Sequence, residues 1–150
     1  IPRKEASILI ENYFQQYPGI QNYIDSTCSM AREKKYVETI LGRRRPIWDA
    51  DSDNGLRRQA AERMAINMPI QGSSAEMIKI AMIRIAEEIS KLNLRSKLVL
   101  QIHDELIFEF PSEEEEVLVN LVIDKMENAM ELKVPVIVDY GIGNSWYEAH

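Results

Sequence analysis

The chain has 150 residues, 45% apolar and 28% charged, enough to bury one core and incompatible with wholesale disorder. No apolar run approaches the roughly 18 residues a membrane-spanning helix needs, and the opening is neither an initiator methionine nor a basic-then-apolar signal peptide. A net charge of −6 speaks against polyanion binding by net charge alone, which leaves local clusters as the place to look.

The first residues, IPRKEAS, are those expected of a segment cut from a longer chain. Apolar positions at Ile8, Tyr13, Tyr17, Ile20, Tyr23, Ile24 and Cys28 keep helical spacing on both sides of Pro18-Gly19, predicting helices over about 4–16 and 19–34. Cys28 is the only cysteine, so an internal disulfide is excluded and a reducing, cytoplasmic setting is expected. With so few Cys and His residues a structural zinc site is not expected either.

Residues 35–40 are rich in strand formers, Gly42 breaks them, and 44–47 can return as a partner strand. This predicts a short hairpin with Arg43, Arg44 and Arg45 at its turn. Residues 1–75 carry 11 Lys and Arg against 9 Asp and Glu, while residues 76–150 carry 7 against 15. The positive charge thus gathers in the first half, at Arg43–Arg45, Arg57, Arg58 and Arg63, where clustered guanidinium groups suit phosphate. A solvated face with ion pairs to Asp49, Asp51 and Asp53 is the plain alternative. The polar stretch from Asp49 to Gly55 is expected to be a mobile loop.

A helix is predicted from about Leu56 to Asn67, with Pro69 interrupting or kinking the pattern before a longer helix runs to about Leu92. Ile70, Met77, Ile78, Ala81, Ile85, Ile89 and Leu92 form its core stripe. Arg63, Asn67 and Gln71 recur every four residues, followed by Ser74, and share one polar face if helical geometry survives Pro69. Such a face suits hydrogen-bond acceptors on a ligand, or is simply wet.

Strands follow over 97–103 and 105–110, then a helix over 112–131 and a strand over 134–140. The four glutamates at 113–116 are expected to favour that helix's positive end and face solvent, with no metal role. The predicted class is α+β: a small antiparallel sheet packed by long helices, plus a helical portion with a short β-hairpin. Between the two apolar strands stand His103, Asp104 and Glu105. Carboxylates there must be paired, hydrated or metal-bound, because an unpaired buried carboxylate costs several kcal/mol. Neighbouring side chains in a tight hairpin tend to diverge, so this hairpin supplies at most one side of a two-metal site.

QIHDELIFE resembles motif C of the A-family DNA polymerases, the group of bacterial DNA polymerase I. YVETILGRRRPI resembles that family's arginine-bearing fingers hairpin, AAERMAINMPIQGSSAEMIKIAM its long helical segment, and GIGNSWYEAH its closing residues. The four blocks lie in the family's order and cover essentially the whole chain.

The resemblance implies that Asp104 is a metal-ligating aspartate, Glu105 its less directly committed neighbour, and His103 a residue near the primer end. It implies that Arg63, Asn67 and Gln71 face the duplex, with Gln71 bonding the minor groove, and that Arg43, Arg44 and Arg45 lie near template phosphates. It further implies two Mg²⁺ ions in the complete site. The implied partners are primer-template DNA, deoxynucleoside triphosphates and the remainder of the polymerase chain, in a nucleoid-associated cytoplasmic setting with no membrane. On this basis residues 1–62 are expected to be the C-terminal part of the fingers and 63–150 the C-terminal half of the palm, with His150 the native C-terminus. The family's other essential aspartate and its nucleotide-gripping helix have no counterpart here, so the segment alone is expected to be inactive.

Two readings from other classes stand beside this one. A metal-dependent hydrolase using His103, Asp104 and Glu105 would lack further ligands at suitable spacing. A catalytically silent nucleic-acid-binding module fits the isolated segment.

Overall fold

The computed structural model describes residues 2–149; Ile1 and His150, the latter expected as the native C-terminus, lie outside the described residues. Helices α1 (Arg3–Gln16) and α2 (Pro18–Lys34) open the chain. Pro18 starts α2 at a position where its missing N–H is no loss, and Lys35, at φ 61°, ends it in the left-handed region. Strands β1 (Tyr36–Glu38) and β2 (Arg44–Pro46) pair antiparallel, with Val37 opposite Arg45. The long helix α3 (Gly55–Lys91) follows, then β3 (Lys97–Ile102), β4 (Glu105–Glu109), α4 (Glu115–Glu127) and the single turn α5 (Trp146–Ala149). Among the described residues, long helices and two separate two-stranded antiparallel sheets make this an α+β chain. No described helix is long and apolar enough to cross a membrane.

The chain packs as two units, one up to Ser73 and one from Ser74. In the first, Ala31 of α2, Val37 of β1, Ile47, Ala50 and the α3 residues Ala61, Ala65 and Met68 form one buried cluster. Burying Ile47 and Val37 contributes about 1.5–3 kcal/mol each. In the second, Ala81 and Ile85 of α3 pack with Leu121, Val122 and Met126 of α4 against Leu106 and Phe108 of β4. Both helices therefore cover one face of the β3–β4 hairpin, as the apolar periodicity predicts, but the two ends of the predicted stripe, Ile70 and Leu92, are exposed and take no part in this cluster.

Several expectations need correction. Pro69 does not divide the helix: α3 is continuous through it. Hydroxyl groups serve carbonyls on either side of the disturbed turn, Tyr23 donating to Ile66 O at 2.7 Å and Ser73 to Pro69 O. The stretch read as a mobile loop opens with a 3₁₀ turn, Trp48–Asp51, whose Ala50 is buried, and Asn54 then caps α3 by accepting from the amides of Leu56 and Arg57. No strand forms over 134–140. Pro135 lacks an amide donor, Val138 gives its amide to Glu127 Oε1, and Val134, Ile137 and Tyr140 are exposed.

The helix expected over 112–131 is shorter, because Ser112–Glu114 is a 3₁₀ turn and Asn128 ends α4. Only Glu115 and Glu116 occupy the first turn of α4. Glu114 turns away and accepts from the Arg95 amide at 2.9 Å, the Ser96 amide at 2.9 Å and the Ser96 hydroxyl at 2.6 Å. These donors, the Arg95 amide foremost, hold its carboxyl below the usual glutamate range. The resulting stabilisation is fully present above the pH at which unfolded glutamates titrate and is lost as pH falls through the lowered value. Glu114→Gln should therefore flatten the acid limb of a stability–pH curve while lowering stability at neutral pH, as urea unfolding at successive pH values would record.

Candidate functional site

The β3–β4 hairpin closes through only two residues, His103 and Asp104, since Ile102 pairs with Glu105 across its end. So tight a turn requires a left-handed residue, and His103 takes that conformation at φ 51°. Imidazole is among the few non-glycine side chains commonly found there. Gln101 steadies the turn by donating from Nε2 to His103 O at 2.6 Å. Asp104 is exposed at the tip and makes no hydrogen bond or ion pair with any described residue. Glu105 begins β4 and is half-buried. A bulge at Val99, between the Leu98 and Leu100 pairs, adds local twist to the hairpin that presents them.

An exposed carboxylate in no ion pair with a described residue is a suitable hard oxygen ligand for a divalent cation, and Asp104 fits that role. Among the described residues no group of three His, Cys, Asp or Glu side chains converges on one point, so this turn offers one arm of a metal site.

In the unit that ends at Ser73, Arg63, Asn67 and Gln71 are all exposed, and the continuity of α3 sets them on one face at successive turns. None of the three side chains is engaged with another described residue. Ser74, the next member of the stripe, is also exposed.

The arginine hairpin is built differently from the expectation. Only Arg43 lies in the turn, whereas Arg44 and Arg45 belong to β2. All three are exposed. Arg44 stacks over the Tyr36 ring at 4.5 Å from its centroid and donates from Nε to Glu38 at 3.3 Å. Asp51, one of the acids suspected of neutralising the arginines, pairs instead with Lys35.

Sequence reasoning missed three residues at the base of this hairpin. Thr39 is buried and closes the turn three ways: its amide donates to Arg43 O at 2.9 Å, its carbonyl accepts from Gly42 at 2.9 Å, and its hydroxyl accepts from the Arg43 amide at 3.0 Å. The Ile40 amide donates to Ser73 Oγ of α3 at 3.0 Å. Beside Ser73, Gly72 has no room for a side chain, since a Cβ there would lie 2.6 Å from Thr39 Cγ2. The available signal was a glycine inside a helix, where it costs about 0.5–1 kcal/mol relative to alanine.

Cys28 is buried, and burial together with Glu62 pushes its thiol pKa up, which disfavours the thiolate a nucleophile needs.

Residues 1–148 match the model of DNA polymerase family A. The chain is 45% identical over 148 residues to a DNA polymerase I of Caldicellulosiruptor bescii and 48% identical over 149 residues to that of Bacillus caldotenax, covering 99% of this chain and 17% of each relative. A solved structure of the polymerase domain of Pol1 from M. smegmatis, in complex with DNA primer-template and dNTP, superposes with a TM-score of 0.96 at 44% identity. That match covers 99% of this chain and 26% of the solved one.

Proposed function

The chain belongs to DNA polymerase family A, and from that premise we propose that it is a segment of a template-directed DNA polymerase that extends a primer 3′ end with deoxynucleotides. Asp104 carries this reading: an exposed carboxylate, free of any described partner, at the tip of a two-residue turn between strands backed by a core.

We assign 1–62 to the end of the fingers and 63–150 to the second half of the palm. Asp104 would hold Mg²⁺ through its carboxylate, with Glu105 as the neighbouring, less committed arm. When bound in the complete site, two such ions would supply Lewis acidity toward the attacking hydroxyl and counter-charge for the leaving phosphates. His103, fixed by its left-handed backbone, would orient the primer end. Arg43, Arg44 and Arg45 would grip template phosphates with planar forks. Arg63, Asn67 and Gln71 would donate to minor-groove acceptors that all base pairs share, which positions the duplex without reading its sequence.

The substrates are then primer-template DNA and deoxynucleoside triphosphates, the partner is the remainder of the polymerase, and the setting is the bacterial cytoplasm at the nucleoid. For the isolated segment a second reading is favoured, a DNA-binding module without catalysis of its own. The exposed stripe and the arginine hairpin stand in one packing unit, while among the described residues no third ligand joins Asp104 and Glu105. Mg²⁺-dependent primer extension tests both: the full-length polymerase should extend and the isolated segment should not. Release of free phosphate or mononucleotide by the segment alone would instead make it a hydrolase.

Gln71→Ala in the full polymerase should lower extension more than DNA affinity. One such hydrogen bond contributes only about 0.5–1.5 kcal/mol to binding, whereas rate depends on alignment to within roughly an ångström. The defect should be independent of sequence and should grow at mismatched primer ends. Incorporation from matched and mismatched primers, with binding measured separately, reads it. Unchanged values would leave the stripe as a wet helix face.

A further inference from the structure

We infer that Thr39, Gly72 and Ser73 form a clasp that fixes the arginine turn against the helical turn bearing Gln71, so that phosphate grip and groove contact act on one duplex as a rigid pair. The clasp matters if the arginine turn and the polar stripe both contact DNA, as proposed above.

Its parts are interlocked. All three polar groups of Thr39, the amide, carbonyl and hydroxyl, go to Gly42 and Arg43, so the conformation of the arginine turn is dictated by this one residue. Thr39 itself is seated close against α3, its methyl occupying the place a Gly72 side chain would take. The next amide, that of Ile40, is tied to Ser73, whose hydroxyl is in turn anchored on Pro69 O. Thr39 and Ser73 are both buried, which limits the competition of water for these bonds. Gln71 directly precedes Gly72 and points its side chain to solvent. The backbone that orients Arg43 and the backbone that carries Gln71 are therefore joined through the Ile40 amide, the doubly bonded Ser73 hydroxyl and the Thr39 methyl seated at Gly72. Two contacts held at a fixed spacing bind one rigid ligand with less ordering than two independent ones. These three are positioning residues; none is placed on DNA.

The test uses the full-length polymerase with a primer-template duplex, measuring affinity across a salt series, extension kinetics and thermal stability. Gly72→Ala forces Thr39 off its seat. It should weaken binding about tenfold and lower the log–log salt slope by about 0.9 for each phosphate no longer gripped. Adding Thr39→Ser, which removes the clashing methyl but keeps the hydroxyl, should restore affinity to within about threefold and return the slope. If Gly72→Ala fails to fold, Ser73→Ala replaces it, with a smaller loss of the same kind that Ser73→Thr reverses.

A structural role alone would lower thermal stability without moving the salt slope, and that outcome overturns the inference. So does a double variant as weak as Gly72→Ala. Replacing Arg43, Arg44 and Arg45 in the same assay separates the two levels. A lowered slope there with an unchanged slope in Gly72→Ala defeats the clasp alone. An unchanged slope in both defeats the DNA-contact reading together with it.

Discussion

Asp104→Asn, introduced into the polymerase that contains this segment, is expected to bring nucleotide incorporation below about a thousandth of the unmodified rate, the scale of losing several kcal/mol of transition-state stabilisation. Duplex affinity should stay within a few-fold. The amide has the size and shape of the carboxylate but is a poor ligand for Mg²⁺. Asp104 also makes no hydrogen bond or ion pair with any described residue that the substitution could break, so folding should be little affected. Glu105→Gln should be milder, because Glu105 starts β4 and is half-buried instead of standing at the tip. Single-turnover incorporation at saturating DNA, beside a binding titration, separates the cases. Near-normal incorporation by Asp104→Asn would remove the metal assignment, and an equally deep loss from Glu105→Gln would reverse the ranking of the two carboxylates.

Replacing Arg43, Arg44 and Arg45 together should weaken DNA binding irrespective of sequence and flatten its salt dependence by up to about 0.9 log–log unit for each phosphate released. The three need not contribute equally. Arg44 is already held over Tyr36 and by Glu38, which pre-orients its guanidinium while sharing its charge, whereas Arg45 lies across the ladder from Val37. Losses near the upper end would reduce affinity by orders of magnitude at physiological salt. An unchanged slope in a filter-binding or anisotropy salt series would return the arginines to a solvated surface role.

Much of this site was legible in the residues because its signals are local. Apolar runs on both sides of His103-Asp104 leave room only for a tight turn, and the core stripe through Ile78, Ala81 and Ile85 follows from helical period. Roles, by contrast, came from resemblance: period and spacing place Gln71 on a helix face but do not say what it touches. The errors trace to non-local partners. Pro69 reads as a break until Tyr23, from another helix, is seen donating to Ile66 O beside it. Val134–Tyr140 reads as a strand because its side chains suit one, yet the ladder it needs is not formed among the described residues. Thr39 and Gly72 are 33 positions apart, and no pattern along the chain announces that one is shaped around the other.

Helix α1 buries none of its fourteen residues, and Pro2 ahead of it supplies no side-chain cap. A helix of that length is marginal in water when tertiary packing does not hold it. Its amide protons are therefore secured by little more than the helix's own ladder and should trade for deuterium through openings of only about 0–2 kcal/mol. Amides beside Val37 and Ala65, sealed in the cluster of the same unit, exchange only when that cluster itself comes apart. A deuterium-uptake profile of this chain should thus fall into two classes within its first 70 residues, with the step between them inside α2, where Thr27, Cys28 and Ala31 first turn inward.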